Sequence, residues 1–100
     1  MSRVVAYVPD LMDRSKVAAA GDCTFVSRPA DLVALCPEAD VVVVDLTKPG
    51  VVDVLADLHG RVIGFANHTS RDVMEAARAA GCEHVLPRSD FFARIDELLA

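Results

Sequence analysis

Five residues, VVVVD at 41–45, restrict the fold more than any other stretch of the chain. Consecutive valines are β-branched and favour extended backbone. Neighbouring side chains of a strand point to opposite faces, so a run without polar alternation must be covered on both sides. A sheet sealed on both faces is a parallel sheet with helices packed against each side. Val41–Asp45 is therefore expected to be a central strand, with Asp45 as the polar residue at its carboxyl end. The open question is whether that carboxylate is a reactive group at the mouth of a site or only the polar stop of a buried strand.

The rest of the chain alternates as such a sheet requires. The β-branched stretches RVVAYV (3–8), CTFVS (23–27), RVIGFA (61–66) and CEHVLP (82–87) predict four further strands. Residues 9–21 predict a helix with Asp10 as N-cap, Asp13 at the third position and Gly21 at its end. Residues 28–40 predict a short helix, with Pro29 in its first turn and Pro37 just past its end. Residues 50–60 carry Val51, Val54, Leu55 and Leu58 at helical spacing, and 69–81 open on a capping-box-like Thr69 and Asp72 and close on Gly81. Residues 89–100 predict a last helix capped by Ser89, with Phe92, Ile95, Leu98 and Leu99 inward. Parallel strands need crossovers, which helices supply with a right-handed sense. The expectation is one α/β domain over 1–100, a doubly wound three-layer sandwich on a five-stranded parallel sheet.

Composition narrows the function classes. Hydrophobic residues make up 53% and charged residues 25%, a globular balance. Net charge is −5 and Lys and Arg are nowhere clustered, which argues against a nucleic-acid surface. No apolar run is long enough for a signal peptide or a membrane span, so the cytoplasm is the expected address. Cys23, Cys36 and Cys82 are odd in number and far apart, without a C-x-x-C or zinc spacing, and read as reduced, packed thiols. Glycine-rich phosphate loops and a G-x-S-x-G elbow are absent, so neither an enzyme nor a cofactor is expected.

Open α/β sheets bind ligands outside the carboxyl ends of their strands. That rule selects Asp10 after the first strand, Asp45, Thr47 and Lys48 at the third, Asn67 and His68 after the fourth, and Arg88 after the fifth. Each also has a plainer role. Asp10, Thr69 and Ser89 suit helix caps, and Asn67 and His68 suit a polar turn. Arg88 suits an ion pair with Asp45 or with a helix carboxylate. One histidine on the edge does not make a metal site.

Two stretches carry a resemblance. VVVVDLTKPG (41–50) is similar to the receiver domains of response regulators at the strand that ends on the phosphoacceptor aspartate, and AAGCEHVLPRSDFFARIDELL (79–99) resembles their carboxyl end. The likeness runs along the whole chain and is best from the third strand onward. It implies a flavodoxin-like (CheY-like) sandwich of strand order 2-1-3-4-5, with Asp45 in the phosphoacceptor position and Pro49-Gly50 as the turn into the third helix.

Other positions depart from the family. Its acidic pair after strand one falls on Val8 and Pro9, with Asp10 the one nearby acid. Its strand-four hydroxyl falls on Ala66 or Asn67. Its lysine falls on Arg88, with Pro87 before it and Ser89 after it, and its aromatic switch residue has no counterpart at His84.

The resemblance with these losses implies an atypical signalling domain that is not efficiently phosphorylated. Such a domain works by docking to a protein partner or by forming a homodimer, through its fourth and fifth helices. Phe91 and Phe92 lie about 100° apart on a helix, so one of them is expected at an interaction surface. With no output domain in these residues, it would act alone or in trans. Mg²⁺ enters only if phosphorylation is retained. Two alternatives remain. One is a small-molecule or anion-binding protein, or small enzyme, using Asp45, Asn67, His68 and Arg88. The other is a working phosphoacceptor at Asp45.

Overall fold

The computed structural model describes residues 2–100. The valine run forms β3 (Val41–Asp45), buried along its whole length. It lies between β1 (Arg3–Tyr7) and β4 (Arg61–Ala66), with β2 (Asp22–Phe25) and β5 (His84–Pro87) outside them. All pairings are parallel and the order is β2-β1-β3-β4-β5, as expected. The crossovers are α1 (Leu11–Ala20), α2 (Pro29–Leu35) with a 3₁₀ turn at Cys36–Glu38, α3 (Val51–Leu55) and α4 (Arg71–Ala79). After β5 come α5 (Arg88–Ala93) and α6 (Ile95–Leu98).

Strand alternation divides the core between the two faces. Val42 and Val44 point to the side of α2, α3 and α4, where they meet Leu32, Val51, Leu55 and Met74. Val41 and Val43 point to the side of α1, α5 and α6, where they meet Val17, Phe91, Leu98 and Leu99. A fully buried valine contributes roughly 1.5–3 kcal/mol, so this one strand supplies much of the sheet's stability on both sides. Gly64 in β4 keeps the packing close, since a Cβ there would meet Leu46 Cδ1 at 2.7 Å.

Three helices differ from expectation. α3 ends at Leu55, where Asp57 N–H and Leu58 N–H turn back to the carbonyls of Val54 and Leu55. Leu58 still reaches the core, while Val54 is half-buried. The Thr69–Asp72 capping box does not form: Thr69 is exposed in a turn closed by Ser70 N–H to Asn67 O at 2.9 Å, and Ser70 is the N-cap of α4. The last segment is two helices, because the backbone leaves helical geometry at Arg94 (φ −111°, ψ 13°). It starts on Arg88, so Ser89 lies inside the first turn and caps nothing. Phe91, not Phe92, is the fully buried phenylalanine, stacked on Phe65 at 4.8 Å. Phe92 is half-buried and packs against the same layer.

Candidate functional site

β3 delivers Asp45 to the carboxyl edge of the sheet, beside Phe65 of β4. The side chain is 5% exposed. Its Oδ1 accepts from Thr47 N–H at 3.0 Å and from the Thr47 hydroxyl at 2.6 Å, so it organises the turn that follows it. That turn runs through Pro49 to Gly50, whose φ of +82° lies in the left-handed region that favours glycine, and α3 begins at the next residue. Asp45 Oδ2 makes no hydrogen bond among the described residues. No fully enclosed side-chain oxygen there lacks a partner, so Oδ2 keeps contact with solvent.

The first turn of α1 supplies two more carboxylates. Asp10 caps the helix and accepts from Asp13 N–H at 3.0 Å. That bond, first, holds the Asp10 carboxyl below its ordinary 3.8; burial opposes it, while Met12 N–H and the charges of Arg88 and Lys48 add to it. Asp13 points inward and is 1% exposed. Arg88, at the start of α5, closes both arms of its guanidinium on it: Nη1 donates to Oδ2 at 2.6 Å and Nη2 donates to Oδ1.

The Arg88 guanidinium also lies 5.2 Å from the Phe92 ring centroid and 5.9 Å from that of Phe65. Its basicity is raised, chiefly by the hydrogen bonds to Asp13 and then by the charges of Asp13, Asp10 and Asp45, against the cost of burial. Placing a carboxylate in a protein interior is costly, and a bidentate partner with aromatic faces beside it offsets that cost.

The expected edge residues are thus divided. Asp10, Lys48 and Arg88 share one electrostatic neighbourhood with Asp45. Of the two ion-pair partners open to Arg88, the helix carboxylate is the one engaged. Asn67 and His68 are exposed, and neither side chain makes a hydrogen bond among the described residues. His68 instead lines a cavity of about 260 Å³ with Arg71, Met74, Glu75 and Arg78 of α4.

Phe91 is no interaction surface. It is packed against Phe65 in the core, with half-buried Phe92 edge-on to both rings and Lys16 Nζ 5.0 Å from Phe92. Among the described residues the exposed large apolar side chains are Leu11 and Met12, at 75% and 73% exposure. Sequence reasoning missed them and it missed Asp13. The available signal was the four-residue spacing of Asp13 and Val17, which puts both on the buried stripe of α1.

Part of the carboxylate set at this edge is already engaged. Both oxygens of Asp13 are held by Arg88, and Oδ1 of Asp45 is held by Thr47. Among the described residues, no three His, Cys, Asp or Glu side chains gather as metal ligands. Also among the described residues, no helix is long and apolar enough to cross a membrane. Cys23, Cys36 and Cys82 are all free thiols.

No family model and no curated protein matches this sequence. Solved structures do resemble it. A response regulator from Hahella chejuensis superposes with a TM-score of 0.80 at 19% identity, covering 99% of this chain and 92% of the other. The signal receiver domain of the response regulator NarL from Mycobacterium tuberculosis gives 0.76 at 21% identity, covering 96% and 90%. A LuxR-family DNA-binding response regulator from Staphylococcus aureus gives 0.73 at 18% identity, with full coverage of both chains. At such identities the likeness establishes the fold, which is that of the receiver domains.

Proposed function

We propose that this chain is a receiver-like regulatory domain that acts by contact with a protein partner and is not efficiently phosphorylated at Asp45. The observation that carries this reading is the closure of Arg88 on Asp13. Phosphoryl transfer to a carboxylate depends on positioning and on neutralising charge around the incoming group. Here the cation at the end of β5 is engaged by a buried carboxylate of α1, and Asp45 and Asp10 each give one oxygen to a local contact, with Thr47 and with the α1 cap. The same pair ties α1 to α5, which favours one arrangement of this edge over a switch between two.

The partner is a protein in this reading, since a net charge of −5 without a basic cluster does not suit nucleic acid. Three free thiols suit a reducing, cytoplasmic setting. A second copy of the chain is one such partner. Light scattering at high concentration separates the cases: a homodimer supports self-association, and a strict monomer leaves a partner of different sequence.

The deciding experiment is incubation with acetyl phosphate and Mg²⁺ followed by intact mass. No mass gain is expected. Addition of one phosphoryl group, abolished by Asp45→Asn, would overturn the proposal and restore a working phosphoacceptor.

A further inference from the structure

The cations of this protein are nearly all answered. Arg28, Arg61, Arg88 and Arg94 pair with Asp31, Glu83, Asp13 and Glu97. Arg14 and Lys16 lie over the rings of Phe25 and Phe92, the Arg3 guanidinium reaches Glu38 O, and Lys48 lies in the field of Asp10. Arg71 and Arg78 differ from Arg3, which also has only a carbonyl contact, in lying together at one cavity. Among the described residues neither has an acidic or aromatic partner, and Arg78 reaches only Val85 O, at 3.5 Å. Both line the α4 cavity, and His68 stands beside them. Glu75 lies four residues after Arg71 and three before Arg78, spacings at which helix ion pairs form, yet it pairs with neither.

From this we infer that the α4 cavity binds a small oxyanion, carboxylate or phosphoryl, on a molecule that also presents a hydrogen-bond donor to Glu75. Guanidinium groups are planar forks of donors that match such anions, and His68 adds a ring N–H. Nearly buried Met74 gives the cavity an apolar floor. A volume of about 260 Å³ gives room for a small dicarboxylate or a phosphate monoester. The inference is independent of Asp45 and would survive failure of the proposal above.

The test is a ¹⁵N–¹H NMR titration of the whole chain at low ionic strength, with inorganic phosphate and with succinate as separate probes and sodium chloride at matched ionic strength as control. Saturable shifts confined to residues 68–78 are expected with at least one probe and not with chloride. The tighter of the two distinguishes phosphoryl from carboxylate. Arg71→Gln, at an exposed position, should weaken binding about tenfold or more, as loss of one charge-assisted hydrogen bond implies. Glu75→Gln should tighten binding of succinate, which carries no donor at neutral pH, because it removes the opposing charge. Absence of saturable shifts in the native chain, shifts centred elsewhere, or equal binding in Arg71→Gln would overturn the inference. Weaker succinate binding in Glu75→Gln would overturn it as well.

Discussion

Asp13 and Arg88 are separated by 75 positions and hold each other in place. Asp13 is almost inaccessible, whereas the Arg88 side chain is 41% exposed. Their losses are therefore unequal. Arg88→Met leaves a buried carboxylate without a counter-ion, and should cost about 2–3 kcal/mol, below the roughly 3–5 for a fully buried pair because solvent screens the arginine. Asp13→Leu leaves a guanidinium that can turn to water and over Phe92, and should cost less. The double variant should be more stable than Arg88→Met alone, since no charge is then left buried. Urea unfolding of all four proteins measures this, and strict additivity would show that the pair contributes no coupling.

α1 is the element in which these groups meet. Its first turn carries a capping acid, two outward apolar side chains and an inward acid in four consecutive residues, Asp10 to Asp13. The Asp10 carboxyl is held below 3.8 in the folded chain, first by Asp13 N–H. A lowered folded value means that the stability it contributes is fully present above 3.8 and is lost as pH falls through the lower folded value. The first turn of α1 should then loosen as the solution is acidified, seen as a smaller protection factor at the Asp13 amide once the pH dependence of intrinsic exchange is divided out. Asp10→Asn keeps an oxygen acceptor at the cap but removes the titration. Its Asp13 amide should be less sensitive to acid than that of the native chain, and an unchanged pH profile would place the effect elsewhere.

At the scale of the whole molecule, one sheet joins two apolar layers, and neither layer is complete without β3. Tyr7 is the single tyrosine, tryptophan is absent, and Tyr7 packs on the layer of α2, α3 and α4. Val43 points into the opposite layer. Val43→Ala should cost about 2–3 kcal/mol through lost burial and a residual cavity. If the layers unfold together, tyrosine fluorescence and far-UV circular dichroism will shift to the same lower urea midpoint, even though the lesion and the fluorophore lie on opposite faces. Separate midpoints would mean that the layers fold independently.

Much of this architecture is legible along the chain because it depends on local rules. Val41–Val44 can only be a strand covered on both faces, the limits of β3 and β4 follow from their apolar runs, and Asp10 as a cap follows from its place before α1. The receiver-like strand order followed from two short stretches, and Asp45 was placed at its edge by the end of the valine run. The partner of Arg88 could not be read in that way. Periodicity locates residues on a face of their own element, whereas the phase of α5, which buries Phe91 and swings Arg88 onto Asp13, is decided by packing against Phe65 across the sheet. For the same reason Thr69 and Ser89 carry cap chemistry without capping, and His68 lies with Arg71 and Arg78 instead of with Asp45. Sequence determined the layers and their order; contacts between residues far apart in the chain decided which charges meet.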